Sequence, residues 1–277
     1  MIIWIASYPK SGNTWVRSLI SSYYFSKDEF NFSYLKNIPN FSIDNFISKD
    51  VNIKNNFDVA KQWLNVQKII NNNYKKTLFF KTHNACVAIN KNLFTNSDNT
   101  AACIYIVRDP RNIVTSYKNF EKKSYEEILD HMKDDESFLT TEKKIGFKGF
   151  EFIGSWAGNY NSWFHNKLGI PVCLVKYEDL IKDTLGEFKK IIDFIANVQN
   201  VKNYVFNDEK AKKGVSNSSF ESLSKMEIDT GFNEARGKQK FFNLGEKNRW
   251  QKILPLNIKE NIEKNFYEEM KELKYLD

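Results

Sequence analysis

The first 24 residues constrain the fold of this chain more than any other segment. Residues 2–6 form a short apolar run, which stops at the turn-forming sequence Ser7-Tyr-Pro-Lys-Ser-Gly-Asn13. From Thr14 to Tyr24, apolar side chains recur at helical spacing. A strand that enters a helix through such a turn brings the turn amides and the helix N-terminus together, and this favours an anion. The segment predicts a phosphate-binding loop, although an ordinary strand-to-helix turn has the same local pattern.

The rest of the chain alternates between strand-like and helix-like segments. This alternation predicts an α/β fold in which helices cover both faces of a central parallel sheet of about four to five strands. A helix begins near Pro110, which is tolerated in a first helical turn. The remaining predicted elements are strands at residues 77–81, 101–107 and 172–176 and helices at 57–74 and 257–276.

We expect one domain over residues 1–277, because 277 residues with 42% hydrophobic content can bury a single large core. Residues 27–56 and 121–149 are expected to be mobile insertions on the substrate side. The amphipathic C-terminal helix is expected to pack as a lid on the fold.

Composition limits the partners. The formal net charge of +7 favours a polyanionic ligand, but the basic residues are interleaved along the chain, so we expect no nucleic-acid partner. The first six residues are too short to span a membrane and lack a basic leader, so we expect no membrane partner. Widely separated Cys86, Cys103 and Cys173 predict a reducing, cytoplasmic setting.

The loop is not a Walker A sequence, because Asn13 follows Gly12 and the only lysine, Lys10, precedes it. Tyr8-Pro-Lys-Ser-Gly-Asn-Thr-Trp15 instead resembles the phosphosulfate-binding loop of sulfotransferases that use 3′-phosphoadenosine 5′-phosphosulfate (PAPS), with a pattern close to YPKSGTTW and one departure, Asn13. The resemblance implies that Lys10 stabilises the bridging oxygen of the donor and that Trp15 borders the adenine. It also implies that the 5′-phosphate is held by Ser11, Gly12, Asn13 and Thr14.

Further segments resemble the same family. Val107-Arg-Asp-Pro-Arg-Asn-Ile-Val-Thr-Ser-Tyr117 is similar to its 3′-phosphate segment, and this implies contacts from Arg108 and Ser116. Arginine is suited to forked phosphate binding, although Arg-Asp-Pro alone is equally an ion-paired helix start. Tyr177 and Phe220 resemble the residues that contact the adenine.

Phe79-Phe-Lys-Thr-His83 resembles the KxH element of the family, which implies that His83 is the general base and that Lys81 assists the charge on the sulfuryl group. A base with a near-neutral pKa is expected for this step. His131 and His165 lie in no such context.

The C-terminal element departs from the family pattern. Phe241-Phe-Asn-Leu-Gly-Glu-Lys-Asn-Arg-Trp250 aligns with FFRKGxxGDW and retains Gly245 as a nucleotide contact. However, Asn243 and Leu244 replace the Arg and Lys that contact the 3′-phosphate. Four basic residues are candidates to restore the lost charge: Arg236, Lys238, Lys240 and Lys247.

Together the resemblances imply a P-loop-like, three-layer αβα fold and in-line transfer of a sulfuryl group from PAPS to a hydroxyl or amine, without a metal. The product would be 3′,5′-adenosine bisphosphate (PAP). A P-loop small-molecule kinase and a non-catalytic binder of a polyanion are the alternatives. The acceptor, a small molecule or a glycan, is open among phenols, aliphatic alcohols, amines, sugars and peptides, and no sequence feature indicates the oligomeric state.

Overall fold

A computed structural model describes residues 1–27, 29–47, 51–139, 150–235, 240–243, 245 and 249–276. Its centre is a four-stranded parallel sheet with the strand order β2-β1-β5-β8. The strands of this sheet are β1 (Ile2–Ser7), β2 (Leu78–Thr82), β5 (Thr100–Val107) and β8 (Val172–Lys176). The predicted parallel sheet is confirmed, with the strand bounds shifted by at most one residue.

Two short antiparallel pairs lie outside this sheet. Their strands are β3 (Ala88–Ile89), β4 (Asn92–Leu93), β6 (Phe138–Leu139) and β7 (Glu151–Phe152).

Twelve α-helices occur in the described part of the chain. They are α1 (Asn13–Phe25), α2 (Asn56–Tyr74), α3 (Pro110–Glu121), α4 (Tyr125–Lys133), α5 (Trp156–Phe164), α6 (Tyr177–Lys182), α7 (Thr184–Val198), α8 (Asp208–Asn217), α9 (Phe220–Thr230), α10 (Trp250–Ile253), α11 (Leu256–Asn265) and α12 (Tyr267–Glu272).

The sheet is covered on both faces, because successive side chains of β1 point to opposite sides. Ile2 and Trp4 belong to a core that also contains buried residues of α2 to α5 and α11. Ile3 and Ile5 belong to a second core, formed with α1, α7 and α8. All six residues of β1 are buried, so a continuous apolar run is what this central strand requires.

The C-terminal segment corrects the predicted single helix. It forms α11 and α12, and the backbone leaves the helical region at Phe266 (φ −117°, ψ 26°). The ring of Phe266 is buried against Trp156, with 5.2 Å between ring centroids. Ile262 and Met270 are also buried, so these helices form part of the core and not a lid.

The two predicted insertions are partly ordered into local structure. Two short 3₁₀ helices, Phe32–Asn37 and Ile43–Asn45, lie in the first. The second contains α4, which begins with a capping box between Ser124 and Glu127 and buries Ile128, Leu129 and Met132. The mobility of the two insertions stays a prediction, and residues 140–149 lie outside the described part.

In the described residues no helix has the length and apolar character needed to cross a membrane. All three cysteines are free thiols, and Cys103 is buried within β5.

Candidate active site

The loop after β1 turns sharply to reach α1. Lys10 and Gly12 both have positive φ angles, 67° and 101°. The carbonyl oxygen of Gly12 accepts hydrogen bonds from the amides of Trp15 and Val16, at 3.0 and 3.2 Å, and this starts the helix. A Cβ atom on Gly12 would lie 2.5 Å from the Tyr177 ring, so both the conformation and the close approach require glycine. The loop and α1 therefore form the predicted strand, tight turn and helix.

Asn13, the residue that departs from the family loop pattern, binds its own loop. Its side-chain amide donates to the Ile5 carbonyl oxygen at 3.0 Å and to Ser7 Oγ at 3.1 Å. These bonds fasten the start of α1 to the end of β1. The nitrogen of Asn13 is thus already engaged, and its predicted contact with a nucleotide stays a prediction.

The loop opens onto a cavity of about 610 Å³, here called the large cavity. It lies at the carboxyl edge of the sheet, where ligands bind in open α/β folds. Its lining brings together nearly all the predicted site residues. These are Lys10, Gly12, Asn13, Thr14, Trp15, Lys81, His83, Arg108, Ser116, Tyr177, Phe220 and Gly245.

Ser11 is the predicted site residue that does not line the cavity. Its hydroxyl is buried, and within the described residues it has no hydrogen-bond partner. The same is true of Arg108 Nε and Trp15 Nε1. Buried polar atoms without partners are costly. Arg108 Nε and Trp15 Nε1 belong to residues that line the cavity, and they fit a site that takes a polar, anionic ligand.

His83 is held in one orientation. Its Nδ1 atom lies 2.7 Å from the Ser7 carbonyl oxygen, and since a carbonyl only accepts, Nδ1 must donate. The proton therefore sits on Nδ1, and Nε2 is left with a lone pair. The pKa of His83 is lowered to about 3, mainly because the ring is buried and secondly because the positive charge of Lys81 is close. This value lies well below the near-neutral pKa expected for a general base.

Sequence reasoning missed the carboxylate beside Lys81. Glu234 accepts a 2.6 Å hydrogen bond from Arg17, lies 3.7 Å from Lys81 Nζ, and accepts from Thr14 Oγ1 at 3.3 Å. Burial raises the pKa of Glu234, but the charges of Lys81 and Arg17 outweigh it and lower the value to about 2. Glu234 is therefore ionised and compensates two cations at the site.

Glu151 is a second missed carboxylate, and it lies under His83. It accepts from the His83 backbone amide at 2.7 Å and from Thr82 Oγ1 at 3.3 Å. Burial raises the pKa of Glu151. The residue positions the chain at the end of β2, where Lys81 and His83 lie.

Lys10 lies between two aromatic rings. Its Nζ is 3.9 Å from the ring centroid of Phe120 and 4.5 Å from that of Phe241. The backbone amides of Phe241 and Phe242 donate to the two carboxylate oxygens of Glu227, at 2.6 and 2.9 Å. Glu227, also missed from the sequence, fixes the segment that holds the lysine.

An aromatic wall borders the other end of the large cavity. Trp15 meets Tyr177 edge to face at 5.5 Å, and the Arg108 guanidinium lies 4.0 Å from the Tyr177 ring. Arg108 also donates to the Lys10 carbonyl oxygen at 3.1 Å. Phe220 packs against Gly245, where an added Cβ would lie 2.7 Å from the Phe220 ring. This wall suits a flat, apolar ring next to a bound anion.

The candidates for the missing basic pair are only partly described. Lys240 and Asn243 line the large cavity. Leu244, Arg236, Lys238 and Lys247 lie outside the described residues.

The family of this chain follows from comparison with known proteins. A family model described as the sulfotransferase domain matches residues 2–274. The chain belongs to the sulfotransferase family. The predicted family and enzyme class are therefore confirmed, and the chain is a sulfotransferase with the predicted P-loop-like fold.

Known sulfotransferases are similar over most of this chain. A flavonol 4′-sulfotransferase from Flaveria chlorifolia is 24% identical over 95% of the chain and 77% of its own length. An amine sulfotransferase from Oryctolagus cuniculus is 22% identical over 98% of the chain and 81% of its own length. In structure, the chain resembles the mouse sulfotransferase SULT7A1 complexed with PAP, with a TM-score of 0.57, 15% identity, and coverage of 97% of this chain and 83% of that chain. This last likeness supports the fold.

Proposed function

We propose that this sulfotransferase uses PAPS as its donor and transfers the sulfuryl group to a hydroxyl or amine of a small molecule. The observation that carries the proposal is the convergence of Lys10, Lys81, His83 and Arg108 on one cavity. The similar mouse sulfotransferase is complexed with PAP, the product that PAPS would leave. The donor is a co-substrate, and the residues present fit it.

The fit rests on the two ends of the large cavity. Around the loop, the α1 N-terminus and Lys10 would hold the 5′-phosphosulfate. At the aromatic wall, Trp15, Tyr177 and Phe220 would contact the adenine. Arg108, with its unpartnered Nε, and Ser116 would bind the 3′-phosphate.

His83 is the proposed general base. Because its Nδ1 donates to Ser7, its Nε2 is the atom that would accept the acceptor's proton. The acceptor oxygen or nitrogen then forms a bond to sulfur as the bond between sulfur and the bridging oxygen breaks, and PAP leaves with that electron pair. Lys10 and Lys81 would stabilise the negative charge that grows on the leaving oxygen and the sulfuryl group.

The pKa of His83 in the ligand-free chain is compatible with this role. A pKa of about 3 means that the ring is already deprotonated at neutral pH. A bound phosphosulfate would bring negative charge close to the ring and raise this pKa. His83 would therefore be a stronger base when the donor is bound. Donor binding and base strength would thus be coupled.

A small-molecule acceptor is supported by the names of the relatives, which include a flavonol sulfotransferase and an amine sulfotransferase. The lining of the large cavity also includes the apolar side chains of Phe120, Leu139 and Phe241. These side chains favour an acceptor with an apolar ring next to its hydroxyl or amine. A glycan, whose surface is largely polar, would make few apolar contacts with these side chains. Membership of the sulfotransferase family removes the main support for the kinase and for the non-catalytic binder.

The test is transfer of labelled sulfuryl groups from PAPS to a mixed panel of flavonols, simple phenols and aryl amines. We expect labelled product with the native chain and a loss of at least about 100-fold in rate with His83→Asn. The affinity for PAP should stay within a few-fold of native in this variant. Full turnover by His83→Asn would refute the base, and lack of PAP binding by the native chain would refute the donor.

A further inference from the structure

The segment before Trp250 carries an exchange of charges relative to the family pattern FFRKGxxGDW. Asn243 and Leu244 remove two positive charges, and Arg249 stands where the pattern has an aspartate. The aspartate-to-arginine change removes a negative charge and adds a positive one. The two lost positive charges are therefore fully offset at position 249, a few residues further along the chain.

Arg249 lines a second cavity, of about 500 Å³, here called the side cavity. The side cavity shares part of its wall with the large cavity, and the shared residues are Arg108, Tyr177, Ile181 and Gly245. Arg108 is the residue of that shared wall for which a 3′-phosphate contact is expected, and Gly245 is an expected nucleotide contact. Arg249 thus lines a cavity that borders the expected 3′-phosphate site.

The backbone at Arg249 is anchored to the start of α3. The amide of the next residue, Trp250, donates to Asn112 Oδ1 at 3.1 Å. The Arg111 guanidinium lies 4.0 Å from the Trp250 ring centroid, and it is itself paired with Asp109 at 2.7 Å. This places Arg249 beside the helix that carries Ser116.

The charge of Arg249 is available to a ligand. Its side chain is exposed, and no acidic residue of the described chain forms an ion pair with it. Among the described residues, Glu178 is the one acid that lines the side cavity. Its oxygens already accept from the Asp109 amide and the Tyr275 hydroxyl, at 3.1 and 2.9 Å. Burial also raises the pKa of Glu178. Lys252 adds a second cation to the same cavity.

We propose that Arg249 supplies the cationic contact to the 3′-phosphate of the donor, in place of the missing basic pair at positions 243 and 244. This inference rests on the proposed function, in which the donor is PAPS. Arg108 would hold the phosphate from the sheet edge, and Arg249 would close on it from the C-terminal element.

The test compares two nucleotides that differ only in the 3′-phosphate, PAP and 5′-AMP, by calorimetric titration. Arg249→Ala should weaken PAP binding about 10- to 100-fold and leave AMP binding within about two-fold. Retained AMP affinity would also establish that the variant is folded. Lys202→Ala, which removes the same charge at an exposed site elsewhere, should leave both affinities unchanged.

The outcomes separate this inference from the proposed function. If the native chain prefers PAP over AMP and Arg249→Ala keeps that preference, the inference is wrong while the donor stands. A loss of the preference in Lys240→Ala, with none in Arg249→Ala, would assign the contact to Lys240 and overturn the inference. If the native chain has no preference for PAP, the proposed donor itself fails.

Discussion

The Nδ1 atom of His83 lies 2.7 Å from the Ser7 carbonyl oxygen, so the end of β1 fixes the tautomer of the ring that follows β2. Register makes this contact possible, because Ala6 pairs with Thr82 in the parallel ladder. The proposed base is thus oriented by the same loop that is proposed to bind the donor.

The first prediction concerns the charge of this ring. With a pKa of about 3, His83 in the ligand-free chain should stay neutral, protonated on Nδ1, between about pH 5 and pH 8. Nitrogen NMR of the ring measures this directly, and His83→Asn assigns the signal among three histidines. A His83 signal that titrates near pH 6.5 would contradict the burial argument. Addition of PAP should raise the pKa.

A second prediction concerns Glu234. Its pKa is lowered from 4.5 to about 2, so its stabilising effect is fully present above about pH 4.5 and is lost as the pH falls toward 2. Glu234→Gln leaves the buried Arg17 without its charged partner and should lower the free energy of unfolding by about 1–3 kcal/mol at neutral pH. Urea unfolding should show this difference shrinking below pH 4.5. Glu260→Gln, at an exposed position, serves as the control.

Gly12 gives a third prediction. Gly12→Ala forces an alanine to φ +101° and puts its Cβ 2.5 Å from the Tyr177 ring, so the loop must move. Gly169→Ala imposes a similar φ, +68°, where no described atom lies within 4 Å. Both variants should lose about 1 kcal/mol of stability from backbone strain. Only Gly12→Ala should weaken PAP binding by more than about 10-fold, and equal PAP affinities for the two variants would refute the role of the close approach.

The Glu227 carboxylate gives a fourth prediction. In Glu227→Gln one of the two amides at Phe241 and Phe242 loses its acceptor, which should cost about 1–3 kcal/mol of stability. Because Phe241 packs against Lys10, the affinity for PAP should also fall several-fold. Glu221→Gln, exposed on the same helix, should change neither quantity, and titration of the three proteins with PAP measures the effect.

Local patterns were sufficient to predict the central sheet. The strands β1 and β5 lie in its middle, so both of their faces are buried, and this produces the continuous apolar runs visible in the sequence. The break at Phe266 was not predictable, because the residues around it keep a helical pattern, and the burial of its ring against Trp156 appears only in the folded chain.

Sequence analysis identified the site residues that belong to a local motif. It missed those whose partners are distant in the sequence. Lys10, His83 and Arg108 follow strand ends, so their meeting at one edge of the sheet follows from the topology. Arg17 and Glu234 are 217 residues apart, and nothing local marks either of them as a partner of the other. The lowered pKa of His83 could not be predicted from the sequence, because burial and the charge of Lys81 depend on the folded arrangement.

The most direct test of the account is calorimetric titration of the native chain with PAP, in parallel with ATP and Mg²⁺, at moderate salt. We predict tight PAP binding that does not depend on added metal, with little response to Mg-ATP. Preferential binding of Mg-ATP, or no binding of PAP, would contradict the proposed donor.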